Sequence, residues 1–490
     1  MSWLIAGVVF LIVGYFTYGK LVEKILEPDD RATPAVANPD GVDYVVLPQW
    51  KNMLIQLLNI AGVGPVIGVI AGIKFGKVAL LIIPLGCVLM GAVHDFIGGM
   101  MSLRSNGANL PKMIRTNLGR GYGTVFSWAM LVLLLLVVAV FINIPANLID
   151  RTLFPSISFF WWAVAVIFVY YIVATLFPVD KIIGTVYPVF GALLIIGSIA
   201  MFGALLIAGF SDPSILEEGA AFVDYKMNVF NKDGRSPIFP LLFVTIACGI
   251  ISGFHATQSP IVARTMKSER EARMTFYGMM IAEGVIAMIW AAAALAIYNI
   301  APDNLKLAPA AVLGNITLKF LGPFMGGITV FAIVVLAITS GDTALRSARL
   351  SLSEMLGISQ RGFAARLSIC VPLVICVSLL LWWSNMSAKS FGHIWNYFAW
   401  GNQILSASTL MAASVWLLRQ GKGLKALVAI IPGMFMVSVV TTFILWTSAD
   451  KGQPWGIVPN GLSLELSIGL SILASIAALL FVIRRAKNLD

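Results

Sequence analysis

Thirteen apolar runs, separated by short polar stretches, recur along the chain. They cover about 3–21, 50–74, 77–103, 121–149, 157–178 and 182–209. After the polar loop Ser211–Ser236 come about 237–262, 275–300, 322–350, 361–383, 390–420, 424–447 and 460–484. Each is close to the ~20 residues a helix needs to cross a bilayer. The pattern predicts an all-α polytopic membrane protein with about 13 transmembrane helices.

Two runs carry helix breakers at mid-depth. The first contains Gly62-Val63-Gly64-Pro65-Val66-Ile67-Gly68. Proline removes a backbone donor and glycine eases departure from helical geometry. The second contains Ala247-Cys248-Gly249-Ile250-Ile251-Ser252-Gly253-Phe254-His255, closed by Pro260. Backbone groups freed at membrane depth cannot face lipid, so they line a cavity or bind something. The alternative is a kinked helix whose small residues serve close packing.

Composition agrees: 59% of residues are hydrophobic, 11% are charged, and the mean hydropathy is +0.91. The net charge of +10 could suggest a nucleic-acid partner, but its distribution fits membrane topology instead, and no nucleic-acid partner is expected. One set of loops holds 23 of the 33 Lys and Arg residues, which makes that side cytoplasmic. The N-terminus then lies outside and the C-terminus inside. Under this topology the two broken helices run in opposite directions and each opens a group of five spans. That suggests a five-plus-five inverted repeat. The predicted organisation is an extra helix and loop at 1–49, a first repeat at 50–209, and an extracytoplasmic loop at 210–236. A second repeat at 237–420 and two C-terminal helices at 421–490 complete it. The four cysteines lie in apolar runs without metal-like spacing, so neither a disulfide nor a zinc site is expected.

Several blocks resemble one known family. The segment Gly62–Gly68 is similar to its AGAGPxxGP pattern. Gly91-Ala92-Val93-His94-Asp95-Phe96 matches its GAVHDF, and Ser102-Leu103-Arg104-Ser105-Asn106-Gly107 resembles its S-x-R-x-N/D-G. Ser252-Gly253-Phe254-His255 matches its SGFH, and Thr339-Ser340-Gly341-Asp342-Thr343 resembles its TT/S-x-DT-x-TR. The chain is identified on these blocks, over roughly residues 50 to 420, as resembling the carbon starvation protein A family of bacterial inner-membrane transporters. The resemblance implies the fold of the amino acid–polyamine–cation superfamily and substrates that are peptides or pyruvate. Some positions depart from the pattern: Val69 replaces the second GP proline, Gln56 and Asn59 replace an upstream His or Ser, and Ala256-Thr257-Gln258-Ser259-Pro260 replaces a Ser/Thr-rich stretch.

An interrupted helix offers amides at the start of its second half, which favour an anion, and carbonyls at the end of its first, which favour a cation. Candidate substrate contacts are therefore the backbone around Gly62, Gly64, Pro65 and Val66, with amides near Gly64 and Val66 free for a carboxylate. At the second break they are Gly253, His255 and Gln258. His255 could donate to that carboxylate or carry a coupling proton. His94 and Asp95 read as a gate or proton relay, or as a pair fixing the helix end against the Arg104–Arg120 loop. Glu283, Asn396, Asn402 and Gln403 could face the cavity. Arg264, Lys267, Arg270 and Arg273 read as a solvated positive face, and Trp161, Trp162, Trp382 and Trp383 as interfacial anchors. The superfamily resemblance implies a sodium site between the first broken helix and the third helix of the second half. Thr339, Ser340, Asp342 and Thr343 lie there, with the carbonyl of Ala61 to complete the shell and Arg346 one turn from Asp342.

Enzyme motifs such as H-E-x-x-H, G-x-S-x-G or a Walker sequence do not occur. The expected function is secondary active import of a small carboxylate-bearing nutrient, coupled to H⁺ or Na⁺, with no cofactor beyond a possible bound Na⁺. The expected partners are the substrate and the lipid bilayer. Alternatives are an amino-acid-like solute transporter, an ion channel, or an intramembrane enzyme built on His94–Asp95.

Overall fold

The computed structural model describes residues 1–150, 158–176, 179–221, 237–448, 451 and 456–487, excepting the side chains of 179–188, 248 and 388–392. The second part of the expected Ser211–Ser236 loop lies outside the described residues. All regular structure among the described residues is helical.

The chain opens with α1 (Ser2–Leu26), then the broken pair α2 (Gln49–Ala61) and α3 (Gly64–Phe75), then α4 (Val78–Arg104). After them come α5 (Leu110–Leu118), α6 (Arg120–Leu148), α7 (Phe160–Leu176) and α8 (Val179–Ser211). The second broken segment is α9 (Ile238–Thr245), continued by a turn at Ala247–Ile250, followed by α10 (Gly253–Ala263). Then follow α11 (Glu269–Ile300), α12 (Pro309–Leu356), α13 (Phe363–Ser384), α14 (Ala388–Arg419), α15 (Gly423–Trp446) and α16 (Leu464–Lys487).

Nine of these helices are long and apolar enough to cross a membrane, or ten if α2 and α3 form one span, among the described residues. Helices occupy all thirteen expected runs, but three do not meet that length and apolarity test. The α7 helix is short, with 17 residues. The segment around α9 and α10 is broken, and α14 is diluted by His393, Asn396, Asn402 and Gln403. Outward-facing side chains such as Val125, Ile207, Phe210 and Leu473 are apolar and exposed, as lipid contact requires. Trp161, Trp162, Trp382 and Trp383 are exposed as well.

Close packing follows small residues. Gly7 and Gly14, two turns apart on α1, lie close against the Met288 side chain of α11 and the Val88 side chain of α4. The first helix therefore docks on the bundle. In α12 the chain leaves helical geometry at Gly322 (φ 68°) ahead of Pro323, so the span proper starts there. Gly341 on the same helix lies against the Tyr171 ring, whose hydroxyl donates to the carbonyl of Phe141 at 2.8 Å. This contact holds α7, α6 and α12 together beside the two breaks.

Candidate functional site

The first break falls where the Gly/Pro pattern places it. Helix α2 ends at Ala61, and Gly62 adopts φ 45°, ψ −150°, a conformation an L residue rarely takes. A widened turn, Gly64–Gly68, follows, and the two halves meet at 48°. The carbonyl of Val63 accepts from the amides of Ile67 (2.7 Å) and Val66 (3.3 Å). This corrects the expectation that the Val66 amide is free: the wide turn folds back on Val63 and uses it. At the end of α2 the carbonyl of Leu58 accepts the Ser340 hydroxyl from α12 at 2.9 Å.

At the second break Ile251 and Ser252 are extended, and α10 restarts at Gly253. Asn402 of α14 caps the restart. Its Oδ1 accepts the Phe254 amide at 2.7 Å, and its carboxamide also bonds the Ser252 hydroxyl. A Cβ at Gly253 would overlap the Asn402 carbonyl oxygen and the Ser406 amide. Gly253 is therefore a packing position against α14. Asn402 had been one of several cavity candidates without a role. Its only sequence signal is a carboxamide in a run that also carries Asn396 and Gln403.

Helix α4 is shaped to meet this break. Pro84 withdraws a backbone donor, and a widened turn follows at Cys87–Gly91. Gly91 lies against the carbonyl of Ile250 with no space for a side chain. Four residues on, on the same face, Asp95 reaches the start of α10. Its Oδ2 accepts from His255 Nδ1 at 2.9 Å, and its Oδ1 accepts from His94 Nδ1 at 2.8 Å. On the other side of the imidazole, His255 Nε2 stands 3.6 Å from Glu283 Oε2 of α11. All four side chains are buried. The reading in which His94 and Asp95 fix the helix end against the Arg104–Arg120 loop is corrected, because Asp95 spends both oxygens on imidazoles. Arg104 is held instead by Glu269 at 3.0 Å and the carbonyl of Glu27 at 2.7 Å. Gln258 is turned toward α12, with its Nε2 donating to the hydroxyl of Ser347 there (3.3 Å) and to that of its neighbour Thr257 (2.8 Å).

The expected cation ligands divide. Ser340 reaches α2 at Leu58, one turn before Ala61. The hydroxyls of Thr339 and Thr343 donate to carbonyls of their own helix, which leaves their lone pairs as hard oxygen acceptors. Asp342 lies on another face, where its Oδ2 accepts the Tyr170 hydroxyl of α7 at 2.7 Å. Arg346 bonds Asp43 at 3.1 Å and the carbonyl of Ala174. Among the described residues no group of three or more His, Cys, Asp or Glu could hold a metal ion. A cation here would therefore rest on hydroxyl and carbonyl oxygens, as sodium does.

The stretch between α1 and α2 straps one end of the bundle. Asp43 is buried, with Arg346 at 3.1 Å and Arg349 at 3.9 Å. Burial pushes its carboxyl up, but the guanidiniums of Arg346, Arg349 and Arg264 hold it below the usual carboxylate value. The amides of Val45 and Leu47 donate to the carbonyls of Arg264 (3.3 Å) and Thr265 (2.9 Å) at the end of α10. Arg264 is itself buried, stacked 5.1 Å from the Tyr44 ring centroid, with Nε donating to Gly107. Arg273 pairs with Glu23 at 2.9 Å. These two residues are thus structural ties rather than the solvated face expected of them; Arg270 and Lys267 remain exposed. On the α6–α12–α13 side a cavity of about 940 Å³ is lined by Asn143, Asn147, Asn315, Thr317, Ser384 and Asn385, among others.

A family model described as carbon starvation protein CstA matches residues 1–206, 161–318 and 304–443. An uncharacterized membrane protein of Haemophilus influenzae is 42% identical over 342 residues, 61% of this chain and 92% of that protein. The peptide transporter CstA of Campylobacter jejuni is 28% identical over 58% of this chain and 48% of its own length. The pyruvate/proton symporter BtsT of Escherichia coli is 28% identical over 59% of this chain and 48% of its own length. The chain thus spans about half the length of these two named relatives. Among solved structures, MHP1, a nucleobase-cation-symport-1 family transporter in a closed conformation, aligns at TM-score 0.56 and 14% identity, covering 91% of this chain and 96% of that one. That likeness shows the fold.

Proposed function

Because this multi-span membrane chain belongs to the carbon starvation protein CstA family, we propose that it is a secondary active transporter importing a small carboxylate-bearing nutrient, pyruvate or a short peptide, together with H⁺. The observation that carries the reading is His255. It is an ionisable side chain at the mouth of a broken helix, buried, and bonded at 2.9 Å to a carboxylate on the neighbouring helix. Ionisable groups inside spans are costly and mark ion or substrate paths. A proton taken up here enters with an anionic solute, so the pair crosses with less net charge than the anion alone.

The geometry supports a division of labour between the breaks. The start of α10 is already capped by Asn402, so a substrate carboxylate is left the turn around Gly62 and Gly64. The Asn-lined cavity offers an approach from one side, while the Asp43 strap closes the other. The Lys and Arg distribution supports a cytoplasmic strap, an outside N-terminus and an inside C-terminus. A cysteine at exposed Asp303 should then react with an impermeant thiol reagent on intact cells, and one at exposed Ser105 should not. The reverse pattern would overturn the orientation.

Uptake of labelled pyruvate and a dipeptide into proteoliposomes, under separate H⁺ and Na⁺ gradients, tests the function. Accumulation driven by an acid exterior is expected. Flux that is linear in concentration and indifferent to both gradients would mark a channel instead; accumulation of only a free amino acid would shift the substrate class. A second reading, Na⁺ coupling, is favoured by one observation: the Ser340 hydroxyl already ties α12 to the last turn of α2 beside Thr339 and Thr343.

A further inference from the structure

We infer that Glu283 exchanges the coupling proton with His255, as the second carboxylate of a buried Asp95–His255–Glu283 bridge. The inference rests on the H⁺-coupled reading above. The two carboxylates are unequal. Asp95 has both oxygens bonded to imidazole nitrogens, at 2.8 and 2.9 Å. Among the described residues neither oxygen of Glu283 has a hydrogen-bond partner, although the side chain is fully buried. A bare carboxylate in that setting is several kcal/mol too costly to persist. Either Glu283 holds a proton, or it pairs with a charged imidazole.

His255 allows both states. Nδ1 must carry a hydrogen to donate to Asp95. In the neutral ring Nε2 is therefore the basic nitrogen, and Nε2 is the atom facing Glu283 at 3.6 Å. That separation exceeds an ordinary N⁺–H···O⁻ contact by ~0.8 Å, which a small side-chain rotation closes. The step conserves atoms and charge. The Glu283 O–H bond breaks and its proton forms an N–H bond at Nε2, leaving a carboxylate and an imidazolium that donates to both acids. The reverse step restores the neutral pair.

Of the other elements around the pair, helix α2 brings the backbone carbonyl of Ile60 to the His255 imidazole. Helix α4 adds His94, bound to Asp95, and Cys87, whose Sγ donates to the carbonyl of Gly249 at 3.1 Å. Helix α12 meets α10 through Ser347, α14 meets it through Asn402, and α2 meets its end through Asn52. Because α10 starts at the second break, a change in charge at His255 acts directly on the half-helix that such a break frees to move.

The test uses full-length protein in proteoliposomes containing a pH dye, with labelled pyruvate and a dipeptide as probes. Glu283→Gln should lower proton-driven accumulation tenfold or more and abolish lumen acidification. Exchange of substrate at equal concentrations should persist, at a rate that no longer varies with pH, and Glu283→Asp should restore part of the accumulation. Infrared spectra of the wild type in lipid should show a protonated-carboxyl C=O stretch that Glu283→Gln removes. Accumulation by Glu283→Gln at the wild-type level, or a wild type without that band, would overturn the assignment. If the wild type moves neither probe with protons, the transport reading fails separately, and the infrared band still decides whether Glu283 holds a proton.

Discussion

Replacing Asp43 by Asn removes one charge from the strap at almost constant volume. Its carboxylate sits between Arg346 (3.1 Å) and Arg349 (3.9 Å), largely shielded from water. Removing one partner of a buried ion pair costs ~3–5 kcal/mol. Arg346 keeps its bond to the carbonyl of Ala174, and Arg349 keeps Gln360 at 2.8 Å, so the lower figure, ~3 kcal/mol, is appropriate. The loss falls on the state in which the strap is docked, which moves the closed-to-open ratio by about two decades. Ser347 reports it, because it is 3% exposed and follows the strap's partner Arg346 on α12, with its hydroxyl on the carbonyl of Thr257. In a background without native cysteines, Ser347→Cys should be labelled by a thiol reagent added on the strap side about a hundred times faster when Asp43→Asn is added. Equal labelling rates would refute the latch. The pH dependence follows in sign. The folded carboxyl lies below its ordinary value, so its contribution is complete above about pH 4 and is lost only as pH falls through the lowered value. Labelling of Ser347→Cys alone should be flat from about pH 5 to 8 and rise only in stronger acid.

Three further outcomes test the breaks. Gly253→Ala should destabilise the fold by ~1–3 kcal/mol or more, read as a lower Tm in detergent, because its Cβ meets the α14 backbone; an unchanged Tm would refute the close approach. Asn402→Ala leaves the Phe254 amide buried and unpaired and should cost ~1–3 kcal/mol, also read as Tm. Thr343→Ala should shift uptake to higher Na⁺ if sodium is the coupling ion. Uptake indifferent to Na⁺ in both proteins would rule out sodium at Thr339, Ser340, Asp342 and Thr343, and an unchanged pH dependence in Asp342→Asn would then remove the site.

The apolar runs and their breaks are local properties of the chain. A run near ~20 residues must be helical where water is absent, and Gly62, Pro65 and Gly253 weaken helix wherever they lie. The family blocks are equally local, so class, helical runs, break positions and family were legible from the residues alone. Partnerships were not. Asp43 meets Arg346 across 303 residues, His255 meets Asp95 across 160, and Asn402 caps Ser252 across 150. Helices apolar on every side give no periodic signal for which face turns inward, so Asp342 could be assigned to Arg346 or to a cation with equal justice. Packing decided it: Gly91 lets α4 close on Ile250, which brings Asp95 to His255. Gly341 lets α12 close on Tyr171, beside the Tyr170 hydroxyl that Asp342 accepts. A buried polar atom takes whichever partner the backbones bring within ~3 Å, and that distance is set by where small residues let helices touch.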